Sequence, residues 1–184
     1  QTQAFTAMAQ HWQDEAMPRL IALLDQPDVS LRRASVRGLG AFGEVAMQPI
    51  ADCFRSSDDG TVRASCVKAY AQLASNYPGI PFSVDAMDVL QAGLADPSPV
   101  VAVASVMALG QVGEQAVSLL LEVSRGDNPA QAVAAVNALA EINHPSVEQG
   151  FEALLALDHL DDYVRETLAS AVLRVKDLKA RQPA

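Results

Sequence analysis

The chain has 184 residues, which is enough for one domain with a hydrophobic core. Half of its residues are hydrophobic and only 5% are aromatic, and this balance favours helices that pack closely through small side chains. The formal net charge of −9 argues against a nucleic-acid-binding protein, which usually presents a basic surface.

Six similar segments follow one another along the chain and predict a repeat protein. In each segment an apolar residue is followed by a variable residue, a small residue and a large apolar residue. The first residues of successive segments are 31, 31, 39, 30 and 33 positions apart. The segments are FTAMAQHW from Phe5, VRGLGAFG from Val36, VKAYAQLA from Val67, VMALGQVG from Val106, VNALAEIN from Val136 and ASAVLRVK from Ala169.

A second amphipathic helix is predicted between successive segments. The five predicted helices span residues 15–25, 44–54, 83–95, 114–124 and 146–157, each with apolar residues at helical spacing. The turns DQPD, SSDDG, DPSP, GDNP and DHLDD end these helices and provide N-caps for the next ones. We therefore expect an all-α chain in which neighbouring helix pairs stack and share one core.

This pattern resembles HEAT repeats, and LRRASVRGLGAFG and VASVMALGQVG carry the resemblance best. The fold class predicted is an α-solenoid of about five to six HEAT-like helix-pair repeats, forming a single domain over residues 1–184. Small residues such as Gly38 and Ala69 are expected to let the second helices of neighbouring repeats approach closely.

The 39-residue step indicates an inserted loop at residues 76–83, NYPGIPFS. Insertions in repeat arrays fall on one face, often the binding face, and two prolines restrict this loop. Tyr77 and Phe82 are therefore candidate binding residues held outward. The alternative is that both aromatic rings tuck under the loop and fill the junction between repeats.

A basic cluster on the second helices is the main candidate site. The candidate binding residues there are Arg33, Arg37, Arg63 and Lys68, and Met107 and Asn137 continue the same register into later repeats. Arginine binds carboxylates and phosphates through a two-pronged fork, so this stripe predicts an anion site. The alternative is that each arginine pairs with a turn aspartate (Asp25, Asp28, Asp58 or Asp59) and ties repeats together.

The acidic residues concentrate in the middle of the chain. Residues 76–160 hold ten acidic residues and one basic residue, Arg125. We interpret this segment as a solubilising face, with a dock for a basic partner as the alternative.

No catalytic triad, phosphate loop or metal-ligand spacing is visible, and His11, His144 and His159 are far apart. Cys53 and Cys66 fall on the two helices of one repeat and are interpreted as core thiols of a reduced chain, with nucleophiles as the alternative. The longest uncharged run, Pro97–Gly113, is too short for a membrane span, and no signal peptide is visible. A cytoplasmic location is expected.

Four segments together are similar to the cyanobacterial HEAT-like repeat proteins of the phycobilin-lyase type. They are TVRASCVKAYAQLASNYPGIPF, DPSPVVAVASVMALGQVG, DNPAQAVAAVNALAEI and DDYVRETLASAVLRV, and the similarity covers about residues 2–176. The resemblance implies a role in attaching a linear tetrapyrrole to phycobiliprotein cysteines, as a chaperone or as one subunit of a bilin lyase.

The resemblance also implies the partners. They are a phycobiliprotein subunit or a second HEAT-repeat lyase subunit, with a phycobilin bound transiently and no tightly bound cofactor. Arg33, Arg37 and Lys68 would then bind the bilin propionates. Two alternatives remain open: a non-enzymatic adaptor that holds an iron–sulphur scaffold protein, and an enzyme that acts alone.

Overall fold

The computed structural model describes residues 2–180, except for the side chains of residues 2, 3, 5, 6, 10 and 177–180. The first segment, FTAMAQHW, is helical, but the packing of Phe5 lies outside the described side chains. The described residues form helices and turns and no strand. The helices are α1 (Thr2–His11), α2 (Gln13–Leu23), α3 (Val29–Gly40), α4 (Met47–Ser56), α5 (Gly60–Asn76), α6 (Val84–Leu94), α7 (Pro99–Val112), α8 (Val117–Val123), α9 (Pro129–Leu139), α10 (Pro145–Leu155) and α11 (Asp162–Ala180).

These bounds confirm the all-α fold and the predicted succession of helices. Two of the predicted helices begin differently from the expectation, because Gly43–Ala46 and Gly113–Ala116 are short 3-10 helices that lead into α4 and α8. Gly43 has φ +63° and Gly113 has φ +79°, so the chain reverses direction there through a conformation that favours glycine.

The predicted turn residues do begin the helices. Asp28 accepts a hydrogen bond from the backbone N–H of Ser30 at 2.7 Å, and Asp59 accepts one from Thr61 at 2.6 Å. These bonds satisfy N–H groups that have no partner inside the helix. The hydrogen bonds from serine and threonine also lower the pKa of Asp28 and of Asp59 below the ordinary value for aspartate.

The chain divides into two compact units, Gln1–Val112 and Gly113–Ala184. In the first unit, α2, α4 and α6 pack as one layer and α3, α5 and α7 pack as a second layer. In the second unit, α9 packs against α8 and α11, and α10 packs against α8 and α11. The expectation of a single domain stays a prediction.

Small residues do allow close helix contacts. Gly38 of α3 is buried, and Gly40, two residues later, lies directly against α5. A Cβ atom on Gly40 would lie 2.5 Å from Cγ of Gln72 and 3.1 Å from its backbone carbonyl carbon. The absence of a side chain at Gly40 therefore allows α3 and α5 to approach closely at this point.

One stretch, Pro99–Val123, has the length and composition of a membrane span, with a mean hydropathy of 1.4. It consists of α7, a 3-10 helix and α8, and 56% of its most apolar window is buried inside the protein. A core helix of a water-soluble protein has the same properties, so the stretch is weak support for a membrane span.

Candidate functional site

A groove in the first unit is the candidate functional site. It has a volume of about 410 Å³ and is lined by residues of α3, α5 and α7 and by Ser98 just before α7. Arg33 and Arg37 of α3 and Lys68 of α5 line it together, so the structure brings three predicted cations to one place. We call this feature the basic groove.

The charge of the basic groove is not neutralised locally. Arg33, Arg37 and Lys68 are exposed, and among the described residues none of them makes a hydrogen bond or an ion pair. None of the described residues that line the groove is acidic, although the whole chain carries a net charge of −9. The groove therefore presents positive charge that has no partner among the described residues, and it suits an anion.

Apolar side chains lie beside these cations. Val29 of α3 and Val100 of α7 line the groove and are exposed, as is Val103 one turn after Val100. Thr61, Ser98 and Gln72 add hydrogen-bonding groups to the lining. The surface therefore suits a ligand that carries both carboxylates and an apolar body.

Arg63 does not line the basic groove and is instead engaged in an ion pair. Its Nε and Nη2 atoms donate to Asp96 at 2.6 and 3.0 Å, and Nη1 donates to the carbonyl of Ser57 at 3.0 Å. The two side chains are only 14% and 5% exposed. The alternative interpretation holds here, because the arginine ties neighbouring repeats together, but its partner is Asp96 and none of the four aspartates expected.

Two other arginines at the same register position also bond the backbone of a turn. Arg32 donates to the carbonyls of Gln26 and Pro27 at 2.6 and 2.8 Å. Arg165 donates to the carbonyls of Leu155 and Leu157 at 3.2 and 2.6 Å. This position therefore has a structural role in three repeats.

The expectation that Phe82 points outward is wrong. Phe82 is 4% exposed, and its ring meets the ring of Tyr70 edge to face at 5.7 Å between centroids. Tyr70 is itself buried and donates a hydrogen bond to the carbonyl of Met47 at 2.7 Å. Phe82 thus fills the core below the inserted loop, because a phenyl ring gains more from burial than from contact with water.

Tyr77 is 40% exposed but is fixed by its hydroxyl group. The hydroxyl donates to the carbonyl of Ala41 at 2.6 Å, and the neighbouring Asn76 donates to the carbonyl of Gly40 at 2.9 Å. These two carbonyls lie at the C-terminal end of α3, where helix carbonyls lack partners inside the helix. Tyr77 therefore caps α3 and does not line the basic groove.

The last two candidate residues lie elsewhere. Met107 of α7 is 64% exposed and follows Val103 on the same face, outside the groove lining. Asn137 belongs to the second unit, where its side-chain oxygen accepts a hydrogen bond from Arg174 of α11 at 2.7 Å. Met107 does not line the basic groove, and Asn137 is paired within its own unit.

Sequence reasoning missed the apolar part of the site. Val29, Thr61 and Val100 occupy nearby positions at the starts of three second helices. The helical register already placed Val100 and Val103 on the face of Met107, so the signal was an exposed valine pair at i and i+3. The sequence did not show that these valines are exposed, because α7 is apolar on all sides.

The described residues hold no group of three or more His, Cys, Asp or Glu side chains that is arranged to bind a metal ion. His144 is an N-cap, and its Nδ1 accepts a hydrogen bond from the backbone N–H of Ser146 at 3.2 Å. Cys53 and Cys66 are free cysteines, and Cys53 is half-buried whereas Cys66 is buried.

Comparison with known proteins identifies the repeat. A family model for HEAT repeats matches residues 1–71 and 83–182, so the unmatched residues 72–82 include most of the inserted loop. Bilin biosynthesis protein CpeZ from Synechococcus sp. (strain WH8020) is 36% identical over 181 residues, which is 95% of this chain and 97% of that protein. Uncharacterized phycocyanin operon protein Z from Pseudanabaena tenuis (strain PCC 7409) is 40% identical over 175 residues, which is 95% of this chain and 87% of that protein.

A solved structure shares the fold. One chain in the complex of CpcE and CpcF of phycocyanin lyase from Nostoc sp. PCC7120 matches with a TM-score of 0.60 and 23% identity, covering 85% of this chain and 97% of that chain. The repeats, the helix pairs and these relatives agree with one another. The chain belongs to the HEAT-repeat family and, within it, to the group that includes bilin biosynthesis protein CpeZ.

Proposed function

We propose that this protein assists phycobiliprotein maturation by holding a bilin in the basic groove while the bilin is attached to a cysteine of a phycobiliprotein subunit. The observation that carries the proposal is the groove itself, where Arg33, Arg37 and Lys68 have no partner among the described residues and no described lining residue is acidic. The names of the two relatives, a bilin biosynthesis protein and a phycocyanin operon protein, support the same role.

A bilin has the two properties that the groove selects for. Its propionate groups are anions, and a guanidinium group can bind each carboxylate through two parallel hydrogen bonds. Its pyrrole rings are largely apolar and suit the exposed Val29 and Val100. The volume of about 410 Å³ falls within the usual range of small-molecule sites, about 300–1,000 Å³.

The proposed role requires no nucleophile from this chain. The thioether forms between the bilin and the cysteine of the phycobiliprotein, so a protein that holds the two reactants in the right orientation raises the rate through proximity. The chain acts in the cytoplasm, either as a chaperone for a phycobiliprotein subunit or as one subunit of a lyase together with a second HEAT-repeat chain.

Titration of the purified protein with phycocyanobilin, followed by visible absorbance, tests the proposal. We expect a saturable absorbance change for the wild-type protein. Arg37→Glu combined with Lys68→Glu removes two charge-assisted contacts and adds two repelling charges, so it should weaken binding about tenfold or more. The matched control is Arg19→Glu with Arg125→Glu, which changes the net charge equally at exposed residues outside the groove.

The control variant should bind the bilin as the wild type does. A wild-type protein that gives no absorbance change and retains no phycobiliprotein subunit on co-purification would contradict the proposal. A complex with another protein, such as an iron–sulphur scaffold, that is indifferent to both the bilin and the Arg37→Glu/Lys68→Glu variant would instead indicate an adaptor.

A further inference from the structure

An exposed apolar stripe on α7 begins at the basic groove and continues beyond it. Val100, Val103 and Met107 follow one another at i, i+3 and i+7, so they share one face of the helix, and they are between 42% and 64% exposed. No other helix in the described part of the chain exposes three large apolar side chains. A contiguous exposed patch of this kind marks an interaction surface. We call these three residues the α7 stripe.

The α7 stripe replaces charge with apolar surface. Met107 occupies the register position that Arg37 and Lys68 hold in the two preceding repeats. The whole of α7, PVVAVASVMALGQV, contains no charged residue. Removing an ionised group from water is the most costly part of forming an interface, and α7 presents no such group. Another surface can therefore cover this helix at little cost.

The shape of the stripe favours a protein over a small molecule. Val100 lines the basic groove, whereas Val103 and Met107 lie outside its lining on the open surface of the helix. Small molecules bind in concave sites that enclose most of their surface. Open apolar faces are typical of protein interfaces, where methionine is enriched and charged residues are depleted at the centre.

The position of the stripe indicates which protein covers it. Because the stripe starts at Val100 in the groove lining, a protein seated on α7 has one edge beside the groove. With a bilin in the groove, the protein that has to reach this edge is the one whose cysteine receives the bilin. We propose that the α7 stripe is the docking surface for the phycobiliprotein subunit that accepts the bilin, an inference that rests on the proposed function.

Charge complementarity defines the matching surface on the subunit. The groove presents three cations without a partner among the described residues, and a bilin brings two propionate groups to them. One positive charge therefore stays uncompensated beside α7 when the bilin is bound. The complementary surface is an apolar patch with an acidic side chain on the edge that faces α5 and the groove.

Binding of purified apo-phycocyanin and apo-phycoerythrin subunits to the full-length protein, measured by biolayer interferometry, tests the proposal. We expect at least one subunit to bind the wild type. Met107→Glu places a carboxylate against the apolar patch and near its acidic edge, so it should weaken binding about tenfold or more. The matched control is Val84→Glu, the same change of net charge at an exposed apolar residue of α6, which should bind as the wild type does.

Met107→Lys separates the effect of charge sign from the effect of polarity. Its ammonium group also interrupts the apolar stripe, but it attracts the acidic edge of the subunit, so we expect a smaller loss than for Met107→Glu. Circular dichroism checks that the variants fold, and the exposure of Met107 makes its replacement compatible with the helix. Equal losses for the glutamate and lysine variants would overturn the proposed charge complementarity.

The subunits in this assay carry no bilin, so its outcome is separate from that of the bilin titration. A wild type that binds a subunit through Met107 but gives no absorbance change with phycocyanobilin would contradict the bilin site and support the docking surface. The docking surface is overturned if the wild type binds none of the subunits, or if Met107→Glu binds them as the wild type does. It is equally overturned if Met107→Glu weakens only the binding of the bilin or of a second HEAT-repeat chain.

Discussion

Arg63 shows how one side chain can hold three segments together. Its fork joins α5 to Asp96 in the turn before α7, and its remaining nitrogen bonds the carbonyl of Ser57 in the turn before α5. Asp96 also accepts a hydrogen bond from the backbone N–H of Ser98 at 2.8 Å. Both charged groups are largely removed from water, so the attraction between them offsets the hydration that each has lost.

We therefore expect Arg63→Ala to lower the free energy of unfolding by about 2–3 kcal/mol, because it leaves the Asp96 carboxylate largely buried without its cation. Urea unfolding at pH 7 measures the change. The matched control is Arg55→Ala, which breaks the exposed ion pair with Asp85 and should cost less. Equal losses in the two variants would show that the burial of the Arg63–Asp96 pair has no energetic effect.

The same pair predicts a dependence on pH. The hydrogen bond with Arg63 lowers the pKa of Asp96 below its ordinary value. The ion pair contributes fully to stability above the pKa of an unfolded aspartate, about 3.9. This contribution is lost as the pH falls through the lower pKa that Asp96 has in the folded protein. The difference in the free energy of unfolding between wild type and Arg63→Ala should therefore become smaller below about pH 4 and be constant between pH 5 and 7.

Arg37 and Lys68 occupy a different register position from these structural arginines. They lie five residues after Arg32 and Arg63 on the same helices, so they project from a different side of each helix. Arg32 and Arg63 reach back to the preceding turn, whereas Arg37 and Lys68 have no such turn beside them. Register, and not residue type, separates the structural cations from those available to a ligand.

At the scale of whole helices, the contact between α3 and α5 depends on Gly40. A methyl group there would collide with Cβ of Gln72 at 2.9 Å and with its backbone, so the helices would have to separate. We expect Gly40→Ala to lower the free energy of unfolding by about 1–3 kcal/mol, as overpacking of a tight contact does. Thermal or urea unfolding monitored by circular dichroism measures it.

Gly150→Ala is the matched control for this variant. Gly150 is also a buried helical glycine, but a methyl group there would meet only the side chain of Leu121, which can change its rotamer. We expect a smaller loss of stability for Gly150→Ala. If the two variants lost the same stability, the backbone contact at Gly40 would not be what limits the approach of α3 and α5.

Features set by local sequence could be predicted, and features set by distant contacts could not. The helix succession and the N-caps Asp28 and Asp59 follow from residues within one turn of each other. The partner of Arg63 is 33 residues away, and the Tyr77 hydroxyl bonds a carbonyl 36 residues away. Such partners depend on how repeats stack, which a period along the sequence does not specify.

The inserted loop illustrates the same limit. Its position followed from the 39-residue step, and the HEAT-repeat match is interrupted at residues 72–82. The positions of its aromatic rings could not be predicted from the sequence, because they depend on distant contacts: Phe82 packs on Tyr70, and Tyr77 bonds the end of α3. The candidate site was predicted in part: three of its cations were named, and its apolar side was not.

At the scale of the whole molecule, the charge distribution is uneven. The chain carries a net charge of −9, yet the basic groove has no acidic residue in its described lining. The segment 76–160 contains ten acidic residues and one basic residue. An anionic ligand is thus attracted by the groove and repelled by the molecule as a whole, and ionic strength decides how far each effect reaches.

Near physiological salt, charges interact over about 8 Å, so the cations of the groove should dominate the affinity for a bilin bound there. We expect the affinity of the wild type for phycocyanobilin to fall as sodium chloride rises from about 0.1 M to about 1 M, where the screening length falls from about 10 to about 3 Å. The Arg37→Glu/Lys68→Glu variant should show the opposite trend, because salt then screens repulsion. Absorbance titrations at several salt concentrations measure both trends, and an affinity that does not respond to salt in either protein would place the bilin away from Arg37 and Lys68.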